Sequence, residues 1–158
     1  GINQAEEGLM QREEARQRSI EIVQAAGFDL EQMPYVSLGS KGGWNGWEVR
    51  VSQIPGDEQR TPGVMLDLAN DGAVRYMEYL GEPTEAAIGA AISEQRAQEI
   101  ALAFMTQYVD AEGEAACTAQ AEDSHWKVTF EGQADQQPCE VWIDNQTGAV
   151  LLVETFTR

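Results

Sequence analysis

Hydrophobic and polar positions alternate strictly at two places along the chain. Trp47, Val49 and Val51 fall on one side of a period-two pattern, with Glu48, Arg50 and Ser52 on the other. Trp126, Val128 and Phe130 repeat it against Lys127, Thr129 and Glu131. Such alternation predicts strands with one buried face, because successive side chains leave a pleated backbone on opposite sides. Each strand leads through a polar connection, Pro55-Gly56-Asp57 or residues 132–135, into a further run at 64–68 or 140–144. A last run at 73–80 or 149–156 follows Asn70-Asp71-Gly72 or Asn145-Gln146-Thr147-Gly148. Both of these connections read as hairpin turns, with Gly72 and Gly148 at the positive-φ position that other residues adopt only with strain.

Ahead of each strand set the spacing changes to three and four. Ala15, Ser19, Ile22, Val23 and Ala26 share one face, which predicts a helix over 4–26 with Gly27 as its stop. Ala97, Ala101, Phe104, Met105 and Tyr108 repeat that face. Ser93 is placed as N-cap and Glu94 lies in the first turn, where the helix dipole favours it, and this helix is expected to end near Val109. Short first strands are expected at 35–38 and 116–119. The chain therefore reads as α+β, with two tandem repeats, each a helix packed on an antiparallel sheet of three to four strands. Residues 1–81 form the first repeat, 82–91 a linker and 92–158 the second. Units of this size are near the lower limit for a self-sufficient core, so the two are expected to pack together.

Composition narrows the functional classes. Of the 158 residues, 42% are hydrophobic, with four Trp, four Tyr and four Phe, which is enough apolar material for a packed core. The net charge is −17, and only Lys41 and Lys127 are lysines. An acidic surface of that density repels phosphate backbones and anionic lipid, so no nucleic-acid partner is expected. It reads as a solvated surface that favours solubility, or as a face for cations or a basic partner. No run approaches the ~18 apolar residues of a membrane-spanning segment. Cys117 and Cys139 are the two cysteines and His125 the single histidine, too few ligands for a structural zinc site. The cysteines are either bridged, given export to an oxidising compartment, or buried separately as thiols. A bridge would contribute ~3 kcal/mol, chiefly through the unfolded state.

The assembled pattern resembles the PepSY domain family. In the second repeat the resemblance rests on Ile92-Ser93-Glu94, the helix over 97–108, Trp126-Lys127-Val128, and Val141-Trp142-Ile143-Asp144-Asn145-Gln146-Thr147-Gly148-Ala149-Val150. The first repeat is similar through Ala15, Trp47-Glu48-Val49 and Asp71-Gly72-Ala73-Val74, with Asp67 one position off the expected hairpin aspartate. The resemblance implies a noncatalytic binding module of secreted or envelope bacterial proteins, of the kind thought to restrain proteases. It carries over no catalytic residue.

Candidate chemistry is sparse. Residues 67–78 imitate a calcium loop, with Asp67, Asp71 and Glu78 at acidic places and Gly72 at the sixth, but Ala69 stands at the third and the flanks read as strands. Glu78 and Glu154 could suggest a carboxylate pair, but their equivalent places in the repeat account for them more simply. His125 has no nucleophile signalled near it. Trp47 and Trp126 lie on the buried alternation and read as core. Trp142 alternates opposite Val141 and Ile143, and Trp44 lies in a glycine-rich loop, so Trp44 and Trp142 are the candidate ligand-binding aromatics.

No cofactor, metal or catalytic set is expected. The leading expectation is a noncatalytic, secreted or extracytoplasmic protein-binding module whose partner is a secreted peptidase, with envelope anchoring through a segment upstream of Ile2 as a variant. The alternative is an extracellular module binding cell-wall, sugar or peptide material.

Overall fold

The structure, a computed structural model, describes residues 10–40, 46–55, 63–81, 91–109, 117–131 and 138–155. Trp44 and almost all of the 82–91 linker lie outside the described residues. A helix followed by four strands occurs twice in chain order. Helix α1 (Arg12–Ala25) precedes β1 (Tyr35–Ser40), β2 (Trp47–Ser52), β3 (Gly63–Leu68) and β4 (Val74–Leu80). Helix α2 (Glu94–Phe104) runs on into a π-helical turn, Met105–Val109, before β5 (Cys117–Ala121), β6 (His125–Phe130), β7 (Cys139–Asp144) and β8 (Val150–Glu154).

Both helix starts satisfy orphan backbone donors locally. Ser93 Oγ accepts the Arg96 amide at 3.0 Å, as the sequence predicts for an N-cap. At α1 the cap is Gln11, and the Glu14 carboxylate reaches back to accept the Gln11 amide at 2.9 Å. Gly72 and Gly148 close the β3–β4 and β7–β8 turns with φ of +90° and +80°.

All eight strands join one antiparallel sheet in the order β1-β2-β3-β4-β8-β7-β6-β5. Two separate sheets were expected; instead β4 and β8, the last strand of each set, pair edge to edge. Their ladder holds Tyr76 against Glu154, Met77 against Val153 and Glu78 against Leu152. The edge of one four-stranded sheet exposes unpaired backbone donors and acceptors, and the other edge satisfies them. One hydrophobic cluster runs through both sets, from Ile22, Val49, Leu66 and Met77 to Val153, Val141, Val128 and Ala101. Both helices pack on this one face of the sheet.

Two expectations about individual residues need correction. Trp47 and Trp126 are half-buried rather than interior, because each indole lies at the rim of the core and turns its N–H to a main-chain oxygen. Trp47 Nε1 donates to the Met10 carbonyl at 2.9 Å and Trp126 Nε1 to the Ile92 carbonyl at 3.1 Å. Each acceptor lies two residues before its helix, so the bond fixes the helix entry on the second strand of its set. The second correction concerns the Cys117–Cys139 disulfide. Strand β6 lies between the two cysteines, and Phe130 is register-paired with both. Strands are about 4.8 Å apart, so the Cα atoms are separated by ~10 Å, beyond the ~7 Å limit for a bridge.

Candidate functional site

The face of the sheet turned away from the helices is built by the polar half of each alternation. Register places Ser37, Arg50, Met65, Glu78, Leu152, Trp142, Lys127 and Gln120 in one row that crosses all eight strands. The adjacent row holds Glu48, Asp67, Tyr76, Glu154 and Glu140. Glu140 and Glu154 stand directly across from one another, a like-charge pairing that disfavours the isolated sheet. Among the described residues no helix covers this face. Its centre is mixed: Met65, Leu152 and Trp142 are half-buried apolar groups set among carboxylates.

From the acidic row the Tyr76 hydroxyl donates across to Glu78 Oε1, in the first row, at 2.7 Å. Burial, that hydrogen bond, and the charges of Glu78 and Glu154 push the Tyr76 phenol up to about 12. Trp142 Nε1 donates to Glu140 Oε1 at 3.1 Å, so the indole is tied along its own strand.

A cleft of about 420 Å³ opens at one end of the β4–β8 seam. Beyond the Glu78–Leu152 pair the two strands part. Tyr79 and Leu80 stay with β3, while the Val150 amide turns to the Ala26 carbonyl at the end of α1, at 2.8 Å. At the other end Thr155 closes the seam, its amide and hydroxyl both donating to the Arg75 carbonyl, at 3.2 and 2.7 Å. Two stacked ring pairs line the open end. His125 stacks on Trp142 with centroids 4.2 Å apart and planes at 14°. Phe28 stacks on Tyr79 at 4.8 Å and 16°.

Ser124, His125 and Asp144 also border this cleft, but they do not make a catalytic relay. Asp144 is spent on its turn, with Oδ1 accepting the amides of Gln146 and Thr147 at 2.8 and 3.1 Å. His125 Nε2 is buried with no hydrogen-bond partner. Burial pushes the imidazole below its usual range and nearby Lys127 adds to that, against the opposing pull of Glu122, Asp144 and Asp123. A relay needs the histidine bonded to both nucleophile and carboxylate, and neither bond is made.

Of the two candidate aromatics, Trp142 lines the cleft and Trp44 lies outside the described residues. Glu78 reaches the same cleft, whereas Glu154 pairs at the opposite end of the seam ladder. The calcium-like stretch is the β3–β4 hairpin: the Ala73 amide donates to Asp71 Oδ1 at 3.0 Å, and Asp67 and Glu78 are strand residues. Among the described residues no three His, Cys, Asp or Glu side chains gather as a metal site. Sequence reasoning missed Phe28 and Tyr79. Tyr79 stands on the core alternation of β4, which was a usable signal, but Phe28 follows the helix stop in a loop with no periodicity to place it.

No protein-family model matches the sequence. No curated protein matches it either. The fold is similar to that of the Bacillus megaterium YpeB C-terminal domain, with a TM-score of 0.67 at 12% sequence identity over 93% of this chain and 63% of that one. The chain thus spans less than two thirds of that structure's length, and at this identity the likeness speaks to fold alone. It supports an α+β fold of the PepSY-like kind.

Proposed function

We propose that the chain is a tandem pair of PepSY-like units that acts as a noncatalytic protein-binding module, secreted or held outside the cytoplasm at the envelope, and restrains an extracellular peptidase. The observation that carries this reading is the sheet face left uncovered by both helices, with apolar Met65, Leu152 and Trp142 set among carboxylates. A face of this kind suits a partner that brings basic and apolar side chains together, and its charge speeds and orients the encounter. The tandem reading draws support from spacing. Each set of strands has a hairpin glycine, Gly72 and Gly148, and a β-bulge just after it on the last strand.

The test is to mix the protein with secreted metallopeptidases from its own source, following peptide cleavage and complex formation. Slowed cleavage with a co-eluting complex at micromolar concentration supports the proposal. Unchanged cleavage and two separate peaks remove the peptidase from it.

A second reading, a module for cell-wall, sugar or peptide material, is favoured by the seam cleft, where Trp142 and a second stacked ring pair line one opening. Tryptophan emission followed through a ligand screen tests it, and an unchanged spectrum counts against it.

A further inference from the structure

We infer that the seam cleft receives one basic side chain, an arginine in the first place, from a peptide segment of the partner. This rests on the reading of the open face as a partner surface, and it names the chemistry that surface recognises.

Four observations converge. The cleft, at about 420 Å³, is large enough for a long side chain together with flanking backbone. Glu78 borders it, and only one of its carboxylate oxygens is engaged in the Tyr76 hydrogen bond, leaving the other to accept a charge-assisted bond. His125 Nε2 is a buried polar atom without a partner at the wall of the cleft. A donor with several N–H groups matches the Glu78 carboxylate. Finally, the two stacked ring pairs offer π surface, on which a planar guanidinium packs better than a hydrated ammonium.

The alternatives fit less well. A carboxylate ligand would meet Glu78 and an overall charge of −17. A neutral apolar group would leave His125 Nε2 buried without a partner and the Glu78 charge unpaired. The geometry of the seam says why the site is at this end: Thr155 closes the far end onto Arg75, and the near end stays open.

The test uses the full chain, isotope-labelled, titrated with the capped tripeptide acetyl-Gly-Arg-Gly-amide and with its citrulline counterpart, which keeps the shape and loses the charge. The single histidine makes the ring signal of His125 unambiguous. The arginine peptide is expected to shift the His125 ring and the Trp142 indole N–H, with the citrulline peptide about tenfold weaker or more. Glu78→Gln should weaken the arginine peptide about tenfold. It should leave the citrulline peptide unchanged and the backbone spectrum native. Unmoved His125 and Trp142 signals at millimolar peptide overturn the inference. So does equal affinity for citrulline, or full affinity in Glu78→Gln. Trp142→Phe is a second, milder variant, and retained full affinity there counts against the stack as the platform. The two proposals fail separately. A peptidase complex with no arginine response removes the cleft and keeps the module, and an arginine response with no peptidase complex keeps the cleft and removes the peptidase.

Discussion

Met77 lies directly across from Val153 at the centre of the β4–β8 seam, and neither side chain is accessible to solvent. The pairs on either side, Tyr76 with Glu154 and Glu78 with Leu152, belong to the opposite face of the sheet, so the core contact between the two sets of strands passes through this point. Because one hydrophobic cluster runs through both sets, the chain should unfold in a single transition. Met77→Ala should lower stability by about 2–5 kcal/mol, the range for truncating a buried methionine. Urea titration followed by fluorescence and by circular dichroism checks both statements. Two separated transitions in the unaltered chain would contradict the shared core.

Cys117 and Cys139 should both titrate as thiols once the protein is unfolded, even after incubation in an oxidising medium. Strand β6 holds them apart in every folded molecule, so oxidation has no short path between them. Burial raises the Cys117 thiol above its ordinary range, which slows its reaction in the native state. An Ellman count in denaturant, with and without prior reductant, is expected to give the same answer. A melting temperature that falls on adding reductant would show a bridge after all.

Much of this arrangement was legible in the chain. Period-two alternation placed β2 and β6, the glycines placed the hairpins, and Ser93 marked the start of α2. The seam was not legible, because Met77 and Val153 look like any other core positions on their own strands. Pairing between two edges is decided by which partner satisfies them, and a periodicity records only the face. The choice between a bridge and two thiols stayed open for a related reason: parity says that two thiols can pair, and only strand order says how far apart they stand. The Trp142 stack was half visible. Alternation put the indole on the outer face, but its contact with His125 is a diagonal one across β6 and β7, and that needs the register. The Trp47 and Trp126 rings were read as interior because their alternation is clean, yet each indole N–H requires an acceptor, and the nearest one lies at the rim.

His125 should lose stability for the fold as pH falls. Its native imidazole sits below the ordinary 6.5, mainly because burial disfavours the charged ring. Between 6.5 and the lower native value the unfolded chain binds a proton that the native chain does not. Stability therefore rises with pH through that window and is fully present above 6.5. A pH titration of the single histidine ring should show a midpoint below 6.5, and His125→Gln should flatten the loss of stability on acidification. A midpoint at or above 6.5 would mean the ring is solvated.

Tyr76 gives the opposite limb. Its phenol is raised to about 12, so above pH 10 the unfolded chain releases a proton that the native chain keeps, and stability falls as pH rises from there. Tyr76→Phe should make that alkaline decline shallower and remove one late phase from the ultraviolet titration of the tyrosines. An unchanged late phase would assign it to Tyr108, which burial and Glu21 also raise.

Arg18 links α1 to the π-helical turn after α2. Its guanidinium lies 5.1 Å from the Tyr108 ring centroid, its Nε donates to the Gly72 carbonyl at 3.1 Å, and an Nη stands 3.5 Å from Glu21. The Glu21 pair is solvent-exposed and contributes little. The ring contact and the carbonyl bond depend on a flat, multiply donating head, which lysine lacks. Arg18→Lys should therefore cost nearly as much as Arg18→Met, about 1 kcal/mol in either case. A double-mutant cycle with Tyr108→Leu isolates the ring contact, and a coupling of about 0.5–1 kcal/mol is expected. Additive losses would assign the whole effect of Arg18 to the Gly72 bond.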